Sequence, residues 1–347
     1  MRYDLGARAS RRGLLTGALG LGATAVLAAC GGSDDETPSA SGSSAAAGPF
    51  TYTDGRGRPI SLPKTPTKIV AQVGAAAALW DFGVRPIGIF GPSTKADGTQ
   101  DPQSGSIDLK AVTSVGNVYG EFNIEKYLSL SPELLIAGMY DPKLLWYVPE
   151  ESEAQIEQIA PTLGVQLTAV DLVKAIGLYE ELAGKLGANL GTPELAAAKA
   201  AFQAADEAVK TAGAAATAAG LRVAAFSGSK DVLYMSVPKY SPDLSHYLAQ
   251  GVPLTVPAKP DGPDAWWESL SWENAAKYPI DVILYDARTQ ALPHTELVKT
   301  QPAFAALPAV KAGQIIDWFS EAQYSYQGYT PQLTNLAAKL PTFKKVA

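Results

Sequence analysis

The chain has 347 residues, 47% of them hydrophobic, with 28 basic against 34 acidic side chains and a formal net charge of −6. An acidic balance argues against a nucleic-acid partner, because that binding is dominated by phosphate neutralisation. A single cysteine excludes internal disulfides and Cys-based metal sites, and two histidines far apart in sequence, His246 and His294, cannot supply a multi-His zinc or manganese site.

In chain order, Arg8, Arg11 and Arg12 precede an apolar stretch from Leu14 to Ala29, broken only by Thr and Gly. Some 16 apolar residues fall short of the roughly 20 that span a bilayer and fit the h-region of a secretory signal. Ser10-Arg11-Arg12-Gly13-Leu14-Leu15 resembles a twin-arginine export signal, with general secretion left open. Leu27-Ala28-Ala29-Cys30 resembles a bacterial lipobox, which implies removal of residues 1–29 and a diacylglyceryl anchor on Cys30 at the extracytoplasmic face of the cell membrane. Residues 1–29 hold four Arg and one Asp, so the remaining chain carries 24 basic and 33 acidic residues, a net of −9. Residues 30–48 then read as the lipidated cysteine and a flexible polar tether, GGSDDETPSASGSSAAAG.

The remaining 300 or so residues suffice for two domains. Short apolar, β-branched runs alternate with Ala/Leu-rich helical stretches, an α/β pattern that implies parallel sheets covered by helices. Strands are predicted at 68–73, 86–90, 133–137 and 165–170, and then at 222–226, 232–236, 281–285 and 314–317. Between the two sets, Thr192-Pro193-Glu194 reads as N-cap, first helical position and acidic first turn. The Ala-rich run that follows lacks proline, has its one weak point at Gly213, and ends at Gly220, a reasonable C′ residue. A single helix about 40 Å long follows. The predicted organisation is an N-terminal α/β lobe over 49–191, an interlobe helix over 192–220 and a C-terminal α/β lobe over 221–347.

Motifs of phosphate binding and of nucleophilic catalysis are missing: there is no GxGxxG or Walker A loop in a strand–helix context and no GxSxG elbow. No enzyme is expected. Four segments instead carry a family resemblance. Thr51–Gln72, TYTDGRGRPISLPKTPTKIVAQ, resembles the opening hairpin and first strand of the ferric-siderophore and cobalamin binding proteins of ABC importers. Ala75–Gly91, Val115–Ala137 (VGNVYGEFNIEKYLSLSPELLIA) and Leu270–Tyr285 (LSWENAAKYPIDVILY) resemble that family's later signatures, in the family's order. The resemblance implies two Rossmann-like lobes joined by one long helix, with the ligand in the cleft between them.

It also implies roles for single residues. Family members present a glutamate at the rim of each lobe for the permease, and the matching positions are Glu125 and Glu273; any first-turn carboxylate also favours its helix electrostatically, so both roles stay open. A cleft residue about six positions earlier gives Tyr119 and Trp267. Tyr140, Trp146, Trp266, Trp318, Tyr324 and Tyr326 fall in stretches that follow strands or break strand patterning, and are expected to line the cleft. Arg288 is the candidate donor to a ligand oxygen, with a surface ion pair as its alternative.

A cleft rich in Tyr and Trp with one arginine suits a ferric siderophore whose own oxygens hold the iron, so no cofactor and no protein-bound metal are expected. Strongly anionic catecholates call for a cluster of cations that these loops lack; neutral or cationic hydroxamates of the ferrioxamine type do not. The expected partners are therefore a ferric hydroxamate siderophore and the permease and ATPase of an ABC importer, met by a monomer. Cobalamin, haem or a ferric catecholate stay open as cargo, and an envelope hydrolase or adhesion lipoprotein as a different class.

Overall fold

A computed structural model describes residues 48–262 and 265–347. The expectations for the signal segment, Cys30 and the tether lie outside the described residues. The chain begins with a hairpin of β1 (Phe50–Thr53) and β2 (Pro59–Leu62). Then follow β3 (Ile69–Gln72), α1 (Val73–Asp81), β4 (Gly88–Phe90), β5 (Thr113–Ser114), α2 (Ile124–Ser129), β6 (Leu134–Met139), α3 (Glu153–Ile159), β7 (Thr162–Gln166) and α4 (Leu172–Lys185). The long helix α5 (Pro193–Ala218) comes next. Beyond it lie β8 (Val223–Gly228), β9 (Val232–Ser236), α6 (Pro242–Ala249), β10 (Trp267–Ser271) and β11 (Val282–Asp286). The chain closes with α7 (His294–Thr300), α8 (Pro302–Ala305), α9 (Pro308–Lys311), β12 (Ile315–Trp318) and α10 (Tyr326–Lys339).

Two five-stranded sheets result, each drawn from one side of α5: β5-β4-β3-β6-β7 and β10-β9-β8-β11-β12. Their plans match. The first strand of each half sits centrally, the next two lie to one side and the last two to the other. Every residue of β3, β6, β8 and β11 is buried, as central strands covered on both faces must be. The first sheet is wholly parallel, but the second is mixed, with β8–β9 and β9–β10 antiparallel. That corrects the expectation of parallel sheets throughout. Only three residues separate β8 from β9, which leaves room for a hairpin and none for a crossover helix.

Helix α5 follows its sequence signals. Thr192 Oγ1 accepts from the Leu195 backbone N–H at 3.2 Å, Pro193 opens the helix, and Gly220 leaves it at φ 66°. Its buried face runs Leu195, Phe202, Ala205, Val209, Ala212, Gly213, Ala216. Gly213, a weak point by propensity, is where the helix meets the turn after α6: a Cβ there would stand 2.8 Å from Gly251 C and from Val252 N. One core cluster includes side chains of α1, α4, α5, α6 and α10, so the two halves share buried surface.

A polar clamp joins the halves in that region. His246 of α6 is buried, with Nδ1 3.0 Å from Asp171 Oδ2 and Nε2 2.6 Å from Asp206 Oδ1. Asp171 also N-caps α4, and Asp206 of α5 accepts from Gln250 Nε2 at 2.9 Å. Burial works against charge on His246, but the two carboxylates outweigh it and raise its pKa above 6.5.

Two predictions follow from these contacts. Gly213→Ala gains about 1 kcal/mol of helix propensity, but its methyl meets rigid backbone, at a cost of about 1–3 kcal/mol; the expected result is a lower Tm, read by thermal unfolding. For His246, a raised native pKa means that its contribution is fully present below about pH 6.5 and lost as pH rises through the native value. Urea unfolding should give falling stability on the alkaline side of pH 6.5, and His246→Gln should flatten that slope.

Candidate functional site

A cavity of about 470 Å³ opens between the halves, at the carboxyl ends of β6, β11 and β12. This is where an open α/β sheet leaves loops free to hold a ligand. The first half contributes Tyr140, Asp141, Leu144 and Trp146, all in the segment directly after β6. The second contributes Trp266 and Trp267 at the start of β10, Arg288 after β11, and Trp318, Ser320 and Glu321 at and after the end of β12.

The aromatic wall is continuous across the halves. Tyr140 packs edge-on against both Trp146, at 5.4 Å between centroids, and Trp266 of the other half, at 5.7 Å. Trp267 lies 6.3 Å from Trp318. Trp318 is fixed from behind: its Nε1 donates to buried Asp243 Oδ2 at 2.6 Å, and Ser241 Oγ donates to the other carboxylate oxygen. Rings held in this way present flat, rigid faces at little entropic cost. Tyr147, behind Trp146, takes φ 65°, a backbone state that non-glycine residues rarely occupy. Its ring stands beside Gly91, itself at φ 94°, and burial raises the pKa of its hydroxyl.

The polar floor centres on Arg288. Its Nη2 donates to Asp286 Oδ2 at 2.7 Å, its Nε to the same carboxylate at 3.0 and 3.1 Å, and its Nη1 pairs with Glu321 Oε1. Burial opposes its charge, but Glu321 and Asp286 raise its pKa further. Glu321 Oε2 reaches across the cleft and accepts from Trp146 Nε1 at 3.0 Å and from Gln103 Nε2 at 3.2 Å. Thr289 Oγ1 donates to Asp101 Oδ2 at 2.7 Å, and Gln290 Nε2 to Tyr147 OH at 3.1 Å, so two consecutive residues tie the second half to the first. Ser320 Oγ is buried in the cavity wall with no protein partner.

Six of the expected cleft residues therefore meet at one cavity: Tyr140, Trp146, Trp266, Trp267, Arg288 and Trp318. Tyr119 is 66% exposed and meets Trp146 at a tilt and Tyr147 edge-on, with centroids 5.7 and 5.4 Å away, without lining the cavity. Tyr324 and Tyr326 fall elsewhere. Tyr324 is buried between Tyr179 and Tyr329, and Tyr326 opens α10 against Phe82 and Phe202 with its hydroxyl on Glu180 at 2.8 Å. Both belong to the segment that turns into α10, where core packing claims aromatic rings. Arg288 lines the cavity, and its ion pairs with Asp286 and Glu321 are largely buried there rather than on the surface. Asp141, Leu144, Ser320 and Glu321 were missed. Of these, Glu321 had a signal: a lone charge in the aromatic run Trp318–Tyr326.

Glu125 is exposed in the first turn of α2. Glu273 is exposed too, but in a 3-10 turn after β10 rather than at the start of an α-helix; backbone and Ser271 hydrogen bonds lower its pKa. Among the described residues, no group of three or more His, Cys, Asp or Glu is placed to hold a metal ion, and no helix is long and apolar enough to cross a membrane.

Residues 66–322 match the family model described as periplasmic binding protein. The chain belongs to the periplasmic binding protein family. Among solved structures it is similar to DesE, a ferric-siderophore receptor protein from Streptomyces coelicolor, at 40% identity and a TM-score of 0.82, over 86% of this chain and 100% of that one. It also resembles the siderophore periplasmic binding protein of the fuscachelin gene cluster of Thermobifida fusca (22% identity, TM-score 0.56, 81% and 98% covered). A third likeness is to FhuD from Vibrio cholerae, a siderophore binding protein solved with Fe3+-Desferal (18% identity, TM-score 0.53, 80% and 97% covered). The last two likenesses show the fold alone. No curated protein sequence matches the chain. The expected fold, two α/β lobes with a long helix between them, is the one observed. Family and neighbours are binding proteins, and nothing positive points to an enzyme.

Proposed function

We propose that this chain is the extracytoplasmic solute-binding lipoprotein of an ABC importer, and that it captures a ferric hydroxamate siderophore for iron uptake. The observation that carries the cargo is the make-up of the cavity: four tryptophans and a tyrosine around one arginine already held by two carboxylates. A ligand that brings its own iron donors needs from the protein only shape, flat apolar faces and a few hydrogen bonds. An iron tris-catecholate is strongly anionic and demands cations that this wall does not offer. The likeness to a ferric-siderophore receptor at 40% identity supports the same cargo class. The membrane anchor rests on the lipobox-like Leu27–Cys30, and the importer partnership on the family and on exposed Glu125 and Glu273.

Two experiments check this reading. Four of the six tryptophans line the cavity, so a ferric hydroxamate at micromolar concentration should quench more than half of the intrinsic fluorescence. Quenching by haem, cobalamin or a ferric catecholate, with none by any ferric hydroxamate, overturns the cargo. Glu125→Ala combined with Glu273→Ala should reduce siderophore uptake by cells at least tenfold while leaving the binding constant unchanged. Loss of binding in that double variant removes the docking role.

A further inference from the structure

The charge on the cavity floor exceeds what structural pairing requires. Among the described residues Arg288 is the only basic side chain in the wall, yet it faces two carboxylates, Asp286 and Glu321, and Asp141 adds a third at the wall. Three carboxylates against one guanidinium leave a surplus of two negative charges. Surplus charge in a partly buried site costs stability unless donors compensate it. Here donors are supplied from both halves. Trp146 and Gln103 donate to Glu321, while Ser227 Oγ at 2.8 Å and the Arg288 backbone N–H at 3.1 Å donate to Asp286. The donors stabilise the carboxylates without cancelling their field.

A second observation concerns the same floor. Ser320 is 6% exposed, and its Oγ has no protein partner in the cavity wall beside Glu321. Arg288, for its part, commits three of its five N–H groups to the two carboxylates, which leaves two for a ligand oxygen. The floor thus combines hydrogen-bond capacity with negative potential.

We propose that Glu321 and Asp141 make this cavity select a ferric complex bearing a positive charge over a neutral complex with the same coordination shell. The inference rests on the hydroxamate reading and deepens it. An iron(III) tris-hydroxamate is neutral at its core, so its net charge is set by whatever the organic shell carries. A pendant ammonium gives +1, and the floor attracts it; the tryptophan faces add cation–π attraction. A cation within about 8 Å of a surplus carboxylate, at an effective dielectric near 20, gains roughly tenfold or more in affinity.

The test is calorimetric titration of the whole protein with two ligands. One is a linear ferric tris-hydroxamate ending in a free ammonium; the other is the same complex with that amine acetylated. The ammonium form should bind about tenfold tighter, and the gap should shrink as salt rises. Glu321→Gln and Asp141→Asn should each narrow it. Because the readout is a ratio of two affinities for one preparation, a partly unfolded variant does not distort it. Asp141, whose carboxylate accepts from the nearby Lys143 backbone N–H, gives a less structurally committed variant as the control for the more deeply held Glu321. Equal affinities in the wild-type protein, or a gap unchanged in both variants, overturn the inference while leaving the hydroxamate reading intact. Binding of neither complex overturns both.

Discussion

The continuity of α5 is the constraint on which the rest of the structure depends. Its 26 residues run without a break between two sheets of matching plan, about 39 Å of helix by its rise per residue. Helix and core cannot be separated: side chains of α1, α4, α5, α6 and α10 lie in one buried cluster, so moving one half against the other exposes apolar surface and breaks the His246 clamp. Gly213 belongs to the same logic. A residue that weakens the helix locally allows the helix to meet the Gly251–Val252 backbone, and so sets the helix against the second half.

From that frame the cavity follows. Two sheets held at a fixed relation turn the carboxyl ends of β6, β11 and β12 toward a common space, and the loops beyond them must be satisfied there. The contacts across the space are polar and specific: Trp146 and Gln103 on Glu321, Thr289 on Asp101, Gln290 on Tyr147. A site bridged in this way is formed before any ligand arrives, so little of the binding energy goes into ordering side chains.

The frame was legible in the sequence for a physical reason. Helix α5 is specified locally, by a threonine cap, a proline at the first position, an alanine-rich body and Gly220 beyond its end, and the observed Pro193–Ala218 falls within the predicted 192–220 by one residue at its start and two at its end. Buried strands such as β6 and β11 are continuous apolar runs and were equally plain. The two-residue edge strand β5 and the antiparallel β10 were not. Edge strands carry little periodicity, and Trp267–Ser271 reads as a polar, aromatic loop until its partner β9 is known. Among site residues, large aromatics directly after a strand, such as Tyr140, Trp146 and Trp318, were readable. Tyr324 and Tyr326 were misplaced because the same residue type serves a core and a ligand wall equally well, and only the start of α10 decides between them.

Glu321 shows where sequence reasoning gives way to geometry. It stands out locally as a lone charge in an aromatic run, but nothing local says what it holds, since its partners are 33, 175 and 218 residues away in the chain. Yet its position changes the meaning of Arg288. Alone, an arginine in an aromatic cleft signals an anionic ligand; paired with Asp286 and Glu321 it becomes a neutralised hydrogen-bond donor in a negative field. The same residue list is therefore compatible with opposite ligand charges, and the arrangement of two carboxylates around one guanidinium is what the proposed preference for a cationic complex rests on.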